Sequence, residues 1–483
     1  MGKDENKNIL LQLYGMWVCS IYLAVLTRED LVDTIFMTIR EVVSPLSVSG
    51  ILANKEQVFT ALLSVTGKWA IQTFVAVLVW GIGKGLLSRK LQNVDCTAVV
   101  ASIRGRSAHF AMVGILIEMI WAAFFYASFS IPGSEVLIFI AMQCFAVKII
   151  VDTHSKREWT AIAVLIAFGI VCKLYTDRNF VLRVLLLLIA AKDLDRKKIM
   201  KWYLVMNTVA SIVIIAVAGV GISGIWMETD AYRTEIETAN RYVLGYNSPN
   251  TTHYIVIRLA LVAMYVWWDK LKGWHIVAFL AVNYGLYILT DSRTGFLVGV
   301  AAGLLVIFFQ YCKRLRDKKI WYVAGIIFVV ALSVFSFSFL RWNFQQYDYA
   351  KSCPAWVYRV NSLMVGRIHQ MLKFRQGIEF SPFGTYKPGV YIDMGYVKLF
   401  LQEGFLAFGL YLTMIIWLIK QQYQTKDYAG YMIVIVISIR MLMESSFVPF
   451  VFQNPVFMLV IGWCGMSKQV VQDSATTERT KNR

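Results

Sequence analysis

Apolar runs of about 17–23 residues, the length an α-helix needs to cross a bilayer, recur along the whole chain between short polar segments. They lie near 9–27, 66–88, 108–130, 134–151, 158–174, 179–192, 203–226, 252–268, 273–290, 294–311, 320–340, 404–420, 430–447 and 451–467. The pattern predicts an all-α polytopic membrane protein with about 12–14 transmembrane helices. The 179–192 run is short, and 28–65 has no clear periodicity. The first run follows a short polar start with Lys3 and Lys7, and no small-residue cleavage site follows it, so it reads as a retained helix. One helical membrane domain over 1–483 accounts for the pattern, with no soluble domain, low-complexity tract or legible repeat. The long polar interruption of the second half is 341–403. Its turn residues (Ser381-Pro382, Phe383-Gly384, Lys387-Pro388-Gly389) predict a large loop with short helices around 360–379 and 394–403.

Composition sharpens this picture. Of 483 residues, 58% are hydrophobic and 16% charged, with a mean hydropathy of +0.58, outside the usual mix of soluble domains. The net charge of +18 sits in short clusters between apolar runs, so it has a topological meaning rather than a nucleic-acid one. Lys192, Arg196, Lys197, Lys198 and Lys201 form one cluster, and Lys313, Arg314, Arg316, Lys318 and Lys319 another. Lys270 with Lys272, and Lys420 with Lys426, mark two more. These loops alternate along the chain and therefore share a side, which the positive-inside rule makes the cytoplasm, with both termini. Segments 28–65, 227–251, 290–293 and 341–403 then face outward. Cysteine spacing shows no CxxC motif or Cys/His cluster that suggests a metal.

Against that topology, five arginines stand on the outer side: Arg241, Arg293, Arg359, Arg367 and Arg375. Arg293 is the sharpest case, because it lies in a turn of a few residues between two spans. Two readings fit it. It either snorkels to headgroups or pairs with Asp291, or it belongs to an anion site, where its planar fork matches phosphate oxygens two at a time. Polar residues inside the runs form a second group: Glu118, Lys148, Arg183, Arg258, Asn283, Arg440 and Glu444. Such groups are paired or functional. Arg258 is placed to face an outer anion site, Arg440 and Glu444 are spaced i, i+4 for a structural ion pair, and Lys148 and Arg183 lie near span ends, within snorkelling reach.

The strings around these arginines carry a resemblance. "RYVLGYNSPN" from Arg241, "LTDSRTGFL" around Arg293, "LMVGRIHQMLKFRQGIEF" around Arg367 and "SPFGTYKPGVYIDMGYVKLFLQEGFLAFG" around Asp393 follow one another on the outer side. In this order they resemble the O-antigen ligase and Wzy-type polysaccharide polymerase superfamily. The "RVLLLLIAAKDLDRKKIMK" segment is similar to Gram-positive members, which make capsular or exopolysaccharide chains.

The resemblance implies a GT-C-like helical glycosyltransferase using a polyprenyl-diphosphate-linked oligosaccharide in a bacterial plasma membrane. It implies neither metal nor other cofactor. Its expected partners are membrane lipid and the flippase and chain-length regulator proteins that serve such glycans. Arg241, Arg293, Arg367 and Arg258 are the expected diphosphate-binding residues, with Arg293 and Asp393 catalytic. The chemistry agrees: breaking an anomeric C–O bond to a diphosphate builds negative charge, which fixed guanidinium groups stabilise. The ligase branch carries a histidine in the element occupied here by "IDMGY". Asp393 in that place favours a polymerase and leaves two roles open, proton acceptor or arginine partner. His369 is the spare base. A ligase transferring glycan to another acceptor and a lipid-linked oligosaccharide transporter are the rival functions.

Overall fold

A computed structural model describes residues 8–18, 77–89, 97–129, 134–176, 178–192, 194–230, 239–341, 354–364, 366–368, 371, 380–385, 392–445 and 454–464. The expectations for 28–65, His369 and Arg375 fall outside those residues. Helices dominate: α1 (8–18), α2 (77–89), α3 (Thr97–Gly105), α4 (Ser107–Phe125), α5 (Ser134–Val151), α6 (Lys156–Thr176), α7 (Phe180–Ala190) and α8 (Arg196–Gly219). After a hairpin of β1 (Met227–Asp230) and β2 (Ala239–Tyr242) come α9 (Pro249–Val266), α10 (Gly273–Thr290), α11 (Arg293–Tyr311) and α12 (Lys319–Ser338). The series closes with α13 (Ala355–Leu363), α14 (Gly395–Gln402), α15 (Phe405–Thr425), α16 (Tyr428–Met441) and α17 (Pro455–Cys464).

Seven of the described helices are long and apolar enough to cross a membrane: α4, α6, α8, α10, α11, α12 and α15. Their apolar faces point outward as much as inward. Only 22% of the apolar window of α6 is buried, and Val164 on it is 63% exposed. Such faces are costly in water and cost nothing in lipid, so the fold is that of a multi-pass membrane protein. Helix ends follow capping rather than hydropathy. The run predicted from 203 is helical from Arg196, because Asp195 accepts a hydrogen bond from the Lys198 backbone N–H and caps it inside the basic cluster. The β1–β2 hairpin, antiparallel with Glu228 opposite Arg241, replaces what reads in the sequence as open loop.

The chain divides into two compact units, Met1–Ala111 with Met142–Glu158, and Met112–Ala141 with Trp159–Arg483. In the first, Ile9, Val100 and Val151 share a core, and Arg104 Nε donates to the Val151 carbonyl at 3.0 Å. Lys148 is buried there against Asp152. Snorkelling does not describe it, nor Arg183 of the second unit. Arg183 donates through Nε to Glu118 Oε1 at 3.0 Å, pairs again through Nη2, and lies 4.6 Å from the Trp121 ring centroid. A buried guanidinium needs that compensation.

In the second unit, the basic loops gather at one end. Arg196 reaches Asp427 at 2.9 Å, the Tyr428 hydroxyl bonds Asp317, Arg316 stacks 4.3 Å from the Tyr428 ring centroid, and Gln310 donates to the Trp268 carbonyl at 2.9 Å. Four polar segments far apart in sequence thus share one face. α11 packs on α9, α10 and α16, and it meets the first two through Gly295, Gly299 and Gly303, spaced one helical turn apart. A Cβ on Gly295 would sit 2.6 Å from the His253 ring, one on Gly299 would strike the Asn283 amide, and one on Gly303 would sit 2.7 Å from Leu280. Those absent side chains let three helices close around the turn described next.

Candidate functional site

Thr290 ends α10 and Ser292 caps α11, accepting from the Gly295 N–H at 3.2 Å. Asp291 between them is left-handed (φ 47°), which reverses the chain in two residues. Two buried arginines reach this turn from distant segments. Arg241, on β2, donates through Nε to the Thr290 carbonyl at 3.0 Å. Arg367 donates through Nη1 to Thr294 Oγ1 at 3.2 Å, on the other side of the turn.

The segment bearing Arg241 is built to hold position. Leu244 and Gly245 both take positive φ, and a Cβ on Gly245 would meet the Ile214 carbonyl at 2.7 Å. Ser248 caps α9, Pro249 fills its first turn, and Thr252 Oγ1 ties back to the Val243 carbonyl at 2.6 Å. Below it, His253 is fully buried between Thr290 Oγ1 (Nδ1, 3.1 Å) and Asn283 Oδ1 (Nε2, 2.9 Å). Asn283 Nδ2 donates to the Phe296 carbonyl at 3.1 Å, so its oxygen faces the ring, Nε2 is the donor, and Nδ1 shares the Thr290 hydroxyl. His253 is not among the residues the sequence pattern singles out, although a histidine at the start of an apolar run is itself a signal.

Carboxylates close the other side. Arg367 Nη2 pairs with Glu444, and its Nε lies 3.7 Å from Asp393 Oδ2. Asn250 Nδ2, in the first turn of α9, donates to the same Glu444 oxygen at 3.4 Å. The expected Arg440–Glu444 pair is not made. The Glu444 backbone N–H still donates to the Arg440 carbonyl at 2.9 Å, but its carboxylate turns to Arg367. Asp393 precedes α14 and is largely buried. Burial pushes its carboxyl above the usual range, Glu444 adds to this, and Arg367 and Lys398 pull the other way. Lys398, buried on α14 and 3.4 Å from Ser445 Oγ, is pushed down to about 8 by burial and by Arg178.

Arg241 and Arg367 therefore flank the turn that carries Arg293, and Asp393 lies beside Arg367. Arg293 itself is exposed at the first position of α11 and makes no polar contact with any described residue. Arg258 is elsewhere: 1% exposed, it donates to Asn207 Oδ1 at 3.1 Å and lies against the rings of Tyr203 and Tyr254. Arg359 is exposed on α13. Among the described residues no group of three or more His, Cys, Asp or Glu is arranged to hold a metal ion. Comparison with protein-family models, curated proteins and solved structures finds no match to this chain. The family likeness rests on the four strings and their order.

Proposed function

We propose that this chain is a metal-independent glycosyltransferase of GT-C-like architecture that polymerises polyprenyl-diphosphate-linked oligosaccharide repeats into surface polysaccharide. It works on the outer face of a bacterial cytoplasmic membrane, with both termini inside. The observation that carries the reading is the pair of buried guanidinium groups, Arg241 and Arg367, fixed on either side of the turn bearing Arg293. An acceptor hydroxyl attacks the anomeric carbon of the donor sugar. The bond from that carbon to the diphosphate breaks, and the polyprenyl diphosphate leaves with the electron pair. Asp393 takes the hydroxyl proton, and the arginines stabilise the charge gathering on the leaving group.

Two rivals are weighed by the same residues. A ligase would move a finished glycan to a different acceptor, and Asp393 stands where that branch carries histidine. A transporter needs charges along a path open to both sides, whereas Arg241, Arg367, Asp393 and Glu444 gather around one helix-end turn. The test is purified protein in lipid with polyprenyl-diphosphate repeats as sole substrate. A ladder of products on the polyprenyl carrier is expected. A single transfer to another acceptor would identify a ligase, and movement across the bilayer with no new bond a transporter.

A further inference from the structure

Arg440 lies in the last turn of α16, only 4% exposed, with its guanidinium carbon 3.3 Å from the centroid of the Tyr254 ring. Its Nε is buried without a hydrogen-bond partner, and no ion pair ties its side chain to another described residue. The Tyr254 ring attracts the charge but is no acceptor comparable to an oxygen for the five N–H donors, and Nε stays unpartnered beside it. Other buried arginines among the described residues are each compensated by at least one polar partner: Arg183 by Glu118, Arg367 by Glu444 and Thr294, and Arg258, whose Nε is also unpartnered, by Asn207 through Nη2. Arg440 is not, though Glu444 is only four residues on. That carboxylate is already held by Arg367 and Asn250.

Its position is as telling as its state. Tyr254 is one turn beyond Asn250 on α9 and directly follows His253, so the guanidinium lies one turn deeper than the Arg367–Glu444–Asn250 contacts. Glu444, Tyr254, Tyr126 and Arg367 are the charged and titratable groups that act on it. A permanent cation held at this depth, with a buried and unpartnered Nε–H, matches a tetrahedral oxyanion carried on a lipid-embedded chain.

We propose that Arg440 is a phosphate-binding residue, taking oxygens of the carrier diphosphate from the membrane side while Arg241 and Arg367 border the outer turn. The inference rests on the glycosyltransferase reading above and adds to it a residue that the motif strings do not include. Tyr254 is then a positioning residue, fixing the plane of the guanidinium.

The test follows thermal unfolding of the full-length protein in phosphatidylcholine nanodiscs, with and without polyprenyl diphosphate. A ligand that binds only the folded state raises the midpoint. The wild type should show this rise. Arg440→Met keeps an apolar stem without the charge. Its ligand-free midpoint should equal or exceed that of the wild type, and its ligand-dependent rise should vanish. Arg440→Lys, the milder change, should keep less than half of the rise. A full rise in either variant overturns the inference while leaving the enzyme reading in place. A lower ligand-free midpoint in Arg440→Met makes Arg440 a packing residue and also overturns it. No rise in the wild type sinks the diphosphate reading itself, and this inference with it. If phosphatidylglycerol nanodiscs or inorganic diphosphate give the same Arg440-dependent rise without the polyprenyl carrier, the assignment to the carrier is wrong.

Discussion

A carboxylate that accepts a proton must first be ionised, so the neighbours of Asp393 set the pH at which the proposed reaction starts. Burial and Glu444 raise its pKa, and Lys398 lowers it. Removing a negative neighbour makes ionisation easier, so Glu444→Gln should move the acid limb of the rate profile to lower pH. Removing a positive one does the reverse, and Lys398→Met should move the limb up. Polymer formation followed from about pH 4 to 8 tests both signs, since an unperturbed carboxyl titrates near 4. A limb that neither change displaces would exclude Asp393 as the base. Arg293 poses a different question. It places a positive charge at the first position of α11, where the helix dipole opposes it and no described side chain offsets it. If it grips a diphosphate through two parallel hydrogen bonds, Arg293→Lys keeps the charge and loses the fork. Loss of such a transition-state contact costs about 3–4 kcal/mol, so a rate loss of roughly a hundredfold to a thousandfold is expected at matched membrane expression. Normal polymer from the lysine variant would reduce Arg293 to a headgroup anchor.

At the scale of helices, the gathering of α9, α10 and α11 depends on atoms that are missing. Gly299→Ala should push the Asn283 amide aside and break its contact with the His253 ring, and Gly295→Ala should press on that ring directly. Overpacking of this kind costs about 1–3 kcal/mol, so both variants should unfold at lower temperature than the wild type. Gly409→Ala on α15 meets nothing within 4 Å and serves as the control. Equal midpoints for all three would show that the glycine stripe does not set the packing. Spans and glycines of this sort are legible in a sequence, because membrane length and a four-residue spacing are local properties. Pairings are less so. The i, i+4 rule joins Arg440 to Glu444, but it does not see Arg367 and Asn250, which take the Glu444 carboxylate instead. Snorkelling likewise misdescribes Arg183, because the rule sees distance from a span end and not Glu118 on another helix. Arg241 and Arg367 stand out in the sequence as charges on the unexpected side. What they touch comes from tertiary packing.

For the whole molecule, everything functional hangs on which end faces outward. The basic segments around Arg196, Asp269, Arg316 and Asp427 meet at one end of the helices, through contacts such as Arg196 with Asp427 and Asp317 with Tyr428. Positive charge resists translocation, and in the orientation proposed above that end faces the cytoplasm. The turn at Asp291 closes the opposite end of α10, one helix length away, and Arg241 and Arg367 go with it. Asn247 and Lys197 are both exposed, one beside each end. In a background freed of native cysteines, Asn247→Cys should react with an impermeant maleimide added to intact cells. Lys197→Cys should react only after the membrane is opened. The reverse pattern would put the arginine turn in the cytoplasm and overturn the outer-face polymerisation proposed above. The same buried guanidiniums would then call for a different substrate.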